Sequence, residues 1–226
     1  LLPECFLFLS NKSKILIEMS HDSIKYFKKF SKINNVHLLL GSIPITENDK
    51  LFNRSILINP DGDIISIYDK IHMFDITLKN GESYKESDFY SPGSELKITK
   101  VLGHSVGHTI CYDLRYPKLY RALAKKGSQI IVVPSAFTHT TGKAHWHSLI
   151  KARAIENGVF ILAPNQWGIN NEKRSTYGHT LIVDPWGETL AEAKDGEMII
   201  AAELDLNRVR ECQNAIPVLD NDRNFD

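Results

Sequence analysis

The first regular pattern of apolar residues lies near the start of the chain and has helical spacing. It predicts an amphipathic helix over residues 22–33, with Asp22 or Ser23 as its N-cap. The apolar residues expected on its inner face are Ile24, Phe27, Phe30 and Ile33. The apolar run Val36–Ile43 follows, and we expect it to form a buried strand.

Short apolar runs separated by turn residues predict hairpins in two parts of the chain. Ser55–Ile58 and Ile64–Tyr68 flank the segment Asn59-Pro60-Asp61-Gly62-Asp63, and two such runs around a Pro-Asp-Gly turn are typical of a β-hairpin. Three runs nearer the C-terminus are also predicted as strands: Gly178–Val183, Glu188–Ala193 and Met198–Leu204.

The middle of the chain alternates predicted strands and helices. Val106–Ile110 is a predicted strand that leads into Cys111, and Pro117 suits the first turn of a helix that stops at Gly127. The same order continues with a strand at Ile130–Val133, a helix over 143–157 and a strand at Val159–Ala163. Such alternation joined to hairpins predicts an α/β fold, with mixed sheets covered by helices in a single domain over residues 1–226.

The composition is that of an ordinary soluble globular chain. Its 226 residues are 42% hydrophobic and 24% charged, and the 27 basic and 27 acidic residues cancel. Nothing in this balance favours nucleic acid or an anionic membrane as a partner, and the apolar runs are too short to span a bilayer. The three cysteines do not suggest a disulfide framework, so we expect a reducing compartment, the cytoplasm.

Cys111 is the first candidate for chemistry, because it follows a strand and precedes a helix. Backbone N–H groups and the helix dipole at such a position favour the thiolate, and the N–H of Tyr112 can help to hold an oxyanion. The alternative is a small buried hydrophobic residue, as most free cysteines are. A nucleophilic cysteine also needs a base and an electrophilic stabiliser.

Three separate motifs carry a resemblance to a known family. They are Leu2-Pro3-Glu4, Tyr68-Asp69-Lys70-Ile71-His72 and Ile110-Cys111-Tyr112-Asp113-Leu114-Arg115-Tyr116-Pro117. In this order and spacing the chain resembles the nitrilase superfamily of carbon–nitrogen hydrolases over essentially its whole length. The resemblance implies a four-layer α-β-β-α sandwich, no cofactor, and a homodimer in which a tail like Asp220–Asp226 lies across the partner.

The resemblance also implies catalytic roles. Glu4 would be the general base, Lys70 would stabilise the tetrahedral oxyanion, and Cys111 would attack the substrate and carry its acyl group. Glu86 matches a second, supporting glutamate of the family, with Glu82 as its competitor nearby. A thiol flanked by an ammonium and a carboxylate is chemically coherent as an activated nucleophile.

The sequence around Cys111 resembles the amidase branch that holds deaminated glutathione amidases and ω-amidases. The implied activity is hydrolysis of a linear small-molecule amide to a carboxylate and ammonia, at bonds other than peptide bonds. An ω-amidase acting on α-ketoglutaramate and an N-carbamoyl amidohydrolase are the alternatives. Expected substrate-binding residues are Tyr112, Arg115, Phe137 and Thr138. Arg115 would bind a substrate carboxylate or, equally, form a structural pair with Asp113.

No metal site is expected. His145 and His147 lie two residues apart in a predicted helix and do not share a face, whereas helical ligand pairs are three or four residues apart. A cysteine peptidase with a histidine base is a rival interpretation of the nucleophile.

The start of the sequence departs from the family pattern. Members of the superfamily normally have a strand and a helix before the Pro-Glu motif, but this sequence begins at Leu1. We therefore predict a fold that lacks this first strand and helix, in either a fragment or a short member. Glu4 then lies where fraying is expected, which makes a catalytically inert binding or assembly module a further alternative.

Overall fold

The structure is a computed structural model that describes residues 1–7, 9, 17–79, 81–171 and 174–223. Its helices are α1 (Asp22–Asn34), α2 (Pro117–Lys125), α3 (His139–Asn157) and α4 (Asn207–Ala215). Its strands are β1 (Leu38–Glu47), β2 (Lys50–Ile58), β3 (Ile64–Asp69), β4 (Asp75–Thr77), β5 (Ser83–Lys85), β6 (Ile98–Val101), β7 (His104–His108), β8 (Ile130–Val132), β9 (Phe160–Ala163), β10 (Trp167–Asn171), β11 (Arg174–Tyr177), β12 (Leu181–Val183) and β13 (Thr189–Glu192). Short 3₁₀ turns cover Glu86–Asp88 and Cys111–Arg115.

The first sheet is an antiparallel meander of β1, β2 and β3 beneath α1. The hairpin predicted around residues 59–63 joins β2 to β3 and is confirmed. Side chains alternate across the sheet, as the pleat requires. Leu40 and Ile56 pack with Ile24 of α1, whereas Leu39 and Leu57 face the opposite way. Both faces of this sheet are therefore buried.

The second sheet has six strands in the order β13-β12-β9-β8-β7-β6. Its three central strands, β7, β8 and β9, are parallel, as expected for strands joined through helices. Ile131 and Ile161 pack with Trp146 and Ile150 of α3. Val132, on the other face of the sheet, packs with Leu39 and Leu57 of the first sheet.

The layers are therefore α1, the first sheet, the second sheet, and α2 with α3. This arrangement confirms the predicted α-β-β-α sandwich. A polar contact also joins the sheets, because Thr99 Oγ1 on β6 donates to Ser66 Oγ on β3 at 2.6 Å. The absence of a preceding strand and helix stays a prediction.

Several local predictions need correction. The N-cap of α1 is His21, whose Nδ1 accepts from the Ser23 N–H at 3.2 Å, rather than Asp22 or Ser23. Phe30 and Ile33 are exposed, because only the face of α1 that carries Ile24 and Phe27 meets the sheet. α3 begins four residues before its predicted start, at His139 instead of 143.

The predicted strand Met198–Leu204 does not form. No strand of the described residues pairs with it, and Ile199 is 99% exposed. The predicted tail Asp220–Asp226 is only partly described, since residues 224–226 lie outside the described residues. Within the described ranges, no helix is both long and apolar enough to cross a membrane.

Candidate active site

Cys111 lies at a sharp turn between β7 and α2. Its φ is +44°, a left-handed conformation that is rare for a residue with a side chain and is often found at functional sites. The Cys111 N–H donates to the Pro134 carbonyl oxygen at 3.0 Å, at the end of β8. Tyr112 is the second residue of the turn, where a backbone N–H has no intrahelical acceptor. An N–H beside the thiol is thus available to a ligand.

Asp113 fixes this turn from inside. Its Oδ2 accepts from the Ile110 N–H at 2.9 Å and from the Tyr68 hydroxyl at 2.7 Å. Its Oδ1 accepts from the His72 N–H at 3.1 Å and lies 2.7 Å from His72 Nδ1. The alternative of an Asp113–Arg115 structural pair is therefore wrong. The short turn directs the two side chains apart, and Asp113 is fully buried among groups from β3 and the segment after it.

Glu4 is held by a backbone segment that lies against β1. The Leu2 N–H donates to Leu39 O at 3.0 Å, and the Ser42 N–H donates to Pro3 O at 3.3 Å. This close approach depends on Gly41, since a Cβ there would lie 1.9 Å from Leu2 O and 2.2 Å from Pro3 O. Fraying was expected at Glu4, yet the residue is only 4% exposed.

Lys70 joins two carboxylates. It follows β3, and its Nζ donates to Glu4 Oε1 at 2.9 Å and to Glu86 Oε2 at 2.8 Å. Asn53 on β2 donates from Nδ2 to the same pair, at 2.8 Å to Glu4 and 3.1 Å to Glu86. The predicted residues Glu4, Lys70 and Glu86 thus meet. Glu82, the competitor of Glu86, instead accepts from the Thr140 hydroxyl at 2.6 Å.

The two carboxylates differ in whether they contact the thiol. Both oxygens of Glu86 accept from Lys70 Nζ, and Oε2 also accepts from the Phe74 N–H at 2.7 Å, so Glu86 is fixed against Lys70. Glu4 Oε2 accepts from the Ala136 N–H at 2.8 Å, and the Glu4 carboxylate also forms a hydrogen bond with the Cys111 thiol. Glu4 is therefore the acid in contact with the nucleophile.

Charge pairing sets the protonation states of these groups. Burial alone would raise the pKa of Glu4, but the charge of Lys70 and the hydrogen bonds from Lys70 and Cys111 bring it below its usual value. Burial alone would lower the pKa of Lys70, but Glu4 and Glu86 hold it well above its usual value. The carboxylate and the ammonium are both charged at neutral pH.

The thiol of Cys111 behaves differently from the sequence-based expectation of a thiolate. Burial and the neighbouring Glu4 charge raise its pKa well above the usual value, although Lys70 acts in the opposite direction. The turn after Cys111 is too short to offer a strong helix dipole. The resting nucleophile is consequently a neutral thiol that needs a base, and Glu4 is within hydrogen-bond reach.

A cavity of about 350 Å³ opens onto these groups, at the lower end of the size range of small-molecule sites. Of the predicted binding residues, Tyr112, Phe137 and Thr138 line it, and Arg115 does not. The Arg115 guanidinium lies 5.2 Å from the centre of the Phe137 ring and 3.3 Å from His145 Nδ1. Arg115 therefore contacts the cavity-lining residue Phe137 without lining the cavity itself.

Arg174 is the arginine that lines the cavity. It donates to Ala136 O at 3.0 Å and lies over the Tyr84 ring, whose centre is 5.5 Å from the guanidinium carbon. Its buried Nε has no hydrogen-bond partner in the described part of the chain. An unpaired buried donor is costly, and an anionic ligand in the cavity would satisfy it.

Sequence reasoning missed four contributors to this site: Asn53, the Ala136 N–H, Gln166 and Arg174. Gln166 donates from Nε2 to the Glu4 carbonyl oxygen at 2.6 Å and so holds the backbone of the base. Asn53 lies within a strand and has no local signal of function. Arg174 has no local signal of function either, because it reaches the cavity only through the folded hairpin of β10 and β11.

Comparison with known proteins agrees with this geometry. The sequence profile of the carbon–nitrogen hydrolase family matches residues 1–214, so the chain belongs to the carbon–nitrogen hydrolase family. A deaminated glutathione amidase from Dictyostelium discoideum is 37% identical, in an alignment that covers 96% of this chain and 79% of that protein. Omega-amidase NIT3 from Saccharomyces cerevisiae is 35% identical over 100% of this chain and 80% of the yeast protein.

Structural comparison gives the same class. The crystal structure of Saccharomyces cerevisiae Nit3, described as a member of branch 10 of the nitrilase superfamily, superposes with a TM-score of 0.83 at 32% identity. That match covers 96% of this chain and 79% of Nit3. The nitrilase and fragile histidine triad fusion protein NitFhit of Drosophila melanogaster is 37% identical over 99% of this chain. The chain spans 50% of the length of that fusion protein.

Proposed function

We propose that this chain hydrolyses a linear small-molecule amide through a thioester on Cys111. The observation that carries this proposal is the buried set of Glu4, Lys70 and Cys111, in which a neutral thiol contacts an ionised carboxylate that is paired with an ammonium. Neither a binding module nor a structural role explains why three such groups are buried around an accessible cavity.

Acylation follows from the positions of these groups. Glu4 accepts the thiol proton as Cys111 Sγ bonds to the amide carbon, and the carbonyl oxygen becomes an oxyanion. Lys70 Nζ and the Tyr112 N–H stabilise that charge, which is larger in the transition state than in the substrate. The carbon–nitrogen bond then breaks, and the departing nitrogen takes the proton held by Glu4. The enzyme is left as a thioester with an ionised Glu4.

Deacylation uses the same base. Glu4 accepts a proton from water, and the resulting hydroxyl oxygen bonds to the thioester carbon. The tetrahedral species collapses, the carbon–sulfur bond breaks, and Glu4 returns the proton to the Cys111 sulfur. The products are a carboxylic acid and an amine or ammonia. Glu86 takes no proton in this scheme and serves to position Lys70.

Deaminated glutathione is the first substrate candidate, because a relative of 37% identity is named for it and Arg174 offers a donor to a carboxylate. In that compound the amide nitrogen belongs to cysteinylglycine, so the second product is the dipeptide. The sequence-based expectation of ammonia applies to the alternative substrate, α-ketoglutaramate, whose amide is primary. An N-carbamoyl compound is the third candidate.

The test measures product release from all three compounds by chromatography, with separate detection of the acid, cysteinylglycine and ammonia. We expect cysteinylglycine release by the unaltered chain and a loss of about 10⁴-fold or more in Cys111→Ala. Cys212→Ala is the matched control, because Cys212 is a buried free cysteine on α4 outside the cavity. Activity that survives Cys111→Ala contradicts the mechanism. A folded chain with no turnover of any amide supports the inert module.

A peptidase with a histidine base is disfavoured by one observation. No histidine is among the described residues that line the cavity, whereas Glu4 is in hydrogen-bond contact with the thiol. Turnover of unmodified peptides, lost on replacement of a histidine but retained in Glu4→Gln, would restore that interpretation.

Location and assembly complete the proposal. A cytoplasmic location is supported by three free cysteines that form no disulfide among the described residues. We also propose a homodimer, as the family resemblance implies, and exposed apolar side chains such as Ile155, Ile199 and Ile216 are available for such a contact. Light scattering after size-exclusion chromatography measures the mass, and a monomer across the micromolar range contradicts the dimer.

A further inference from the structure

A second group of ligating side chains lies away from the cavity. His147 on α3, His179 before β12 and Glu192 at the end of β13 form what we call the His–Glu cluster. His147 Nε2 lies 2.9 Å and His179 Nδ1 lies 2.8 Å from the same oxygen, Glu192 Oε1. The three ligand atoms all lie within 4.8 Å of one another, and the catalytic scheme uses none of them.

The surroundings of the cluster hold His179 in place. Its φ is +54°, an uncommon value for a residue with a side chain. Its carbonyl oxygen accepts from the Trp146 indole N–H at 2.7 Å. Its ring stacks on Tyr177 with 4.4 Å between the ring centres. A ligand held by a stack and a backbone hydrogen bond loses little freedom when an ion binds.

The arrangement of the cluster suits a cation, because two imidazole nitrogens and a carboxylate oxygen converge on one point. Two imidazoles and one carboxylate form a three-ligand set known from zinc sites that keep a fourth position for water.

We propose that the His–Glu cluster binds one Zn²⁺ ion through His147 Nε2, His179 Nδ1 and Glu192. The ion would link α3 to the hairpin of β12 and β13, with water as its fourth ligand. The His179 ring stacks on Tyr177, and the Tyr177 N–H donates to Phe137 O at 2.9 Å. The metal link would therefore also support the backbone of Phe137, which lines the cavity.

The sequence did not suggest this site, because it drew attention to the wrong pair. His145 does not belong to the cluster that contains His147, since His145 contacts Arg115 instead. The partners of His147 are 32 and 45 residues further along the chain, counting from 147 to 179 and to 192. Only the packing of α3 on the second sheet brings them together.

The test uses a chain with Cys111→Ala, so that the active-site thiol cannot bind the metal. Isothermal titration with Zn²⁺ gives the stoichiometry and the Kd, and Co²⁺ gives the visible absorption of a tetrahedral site with nitrogen and oxygen ligands. We expect one ion per chain, and a Kd raised about 100-fold or more in Glu192→Gln and in His147→Asn. His104→Asn is the matched control, because His104 is an exposed histidine distant from the cluster in sequence.

Thermal unfolding provides a second measurement that does not depend on catalysis. Zn²⁺ at about a hundredfold excess over Kd should raise the unfolding midpoint by about 5 °C, and Glu192→Gln should abolish the increase. The proposal is overturned if Glu192→Gln and His147→Asn bind Zn²⁺ with the same Kd as the control His104→Asn, or if the Cys111→Ala chain binds none. In the latter case the cluster is only a hydrogen-bonded link between histidines and a glutamate.

Discussion

Glu4 and Lys70 are 66 residues apart in the sequence, yet Nζ of Lys70 lies 2.9 Å from Oε1 of Glu4 in a buried pair. Glu86 completes the environment of the ammonium, so Lys70 pairs with two carboxylates. Burial and the charge of Glu4 together keep the thiol protonated until Glu4 accepts its proton.

Replacement of Lys70 by methionine tests both roles of the ammonium. We expect kcat to fall by about 10²–10³-fold, because a donor to the oxyanion is lost. We also expect the free energy of unfolding to fall by about 3–5 kcal/mol, because two carboxylates lose their buried partner. Steady-state kinetics and urea unfolding measure the two effects. Lys25→Met, at an exposed ion pair on α1, is the control and should leave both quantities unchanged.

The pH dependence follows from the directions of the pKa shifts. Glu4 has a lowered pKa, and Cys111 and Lys70 have raised ones, so kcat/KM should be constant from about pH 5 to about pH 8. A break in the kcat/KM profile at about pH 6.5, the ordinary pKa of histidine, would contradict Glu4 as the base. Product release is measured across this range in buffers of constant ionic strength.

The same shifts affect stability at the extremes of pH. The contribution of Glu4 is fully present above its unfolded pKa of about 4.3 and is lost as the pH falls through its lowered folded value. The contribution of Lys70 is fully present below its unfolded pKa of about 10.4 and is lost as the pH rises through its raised folded value. In the Glu4→Gln variant, the free energy of unfolding measured with urea should no longer show the loss of the Glu4 contribution at acid pH that the unaltered chain shows.

Gly41 is expected to control the position of the base without touching substrate. In Gly41→Ala the new methyl group would collide with the Leu2 and Pro3 carbonyl oxygens, so the segment that carries Glu4 must move. We expect kcat to fall by about tenfold or more while the far-ultraviolet circular dichroism stays that of a folded chain. Gly103→Ala is the comparison, since a Cβ there meets no atom within 4 Å, although its positive φ adds some strain. Equal effects at both positions would contradict this interpretation.

Arg174 and Arg115 are rival anchors for a substrate carboxylate, and the cavity favours Arg174. Arg174→Met should raise KM for a carboxylate-bearing amide by about 10–100-fold, corresponding to one charge-assisted hydrogen bond, with little effect on a neutral amide. Arg115→Met should have the smaller effect. The ratio of kcat/KM for the two kinds of amide is the measurement, and a larger change in Arg115→Met would reverse the assignment.

Prediction from the sequence succeeded where a local pattern determines structure. Short apolar runs located the three strands of the first sheet and every strand of the second sheet except β6. Pro117 and Gly127 marked α2, which spans Pro117–Lys125. It failed where a tertiary contact decides. Ile33 satisfies the helical spacing of an inner face, but α1 covers a narrow sheet and leaves Ile33 70% exposed.

The candidate site shows the same division. Glu4, Lys70 and Cys111 occur within recognisable short motifs, and the structure brings them together. Asn53 and the Ala136 N–H carry no motif, because an amide in a strand and a backbone N–H are ordinary groups until the fold aims them at a carboxylate. The pairing of Asp113 with His72 was missed for a similar reason, since it joins positions 41 residues apart.

The hydrogen bonds that hold Glu4 have a consequence for folding. Its side chain accepts from Ala136, 132 residues away, and its backbone accepts from Gln166, 162 residues away. Contacts of such long sequence separation form slowly, because the intervening chain must be ordered first. During synthesis Cys111 therefore emerges after Glu4 but before Ala136 and Gln166, the groups that hold this base in place. Catalytic competence arises only after the segment that carries Gln166 has docked. Recovery of activity on refolding would thus report the completion of tertiary structure, later than the appearance of helices and sheets.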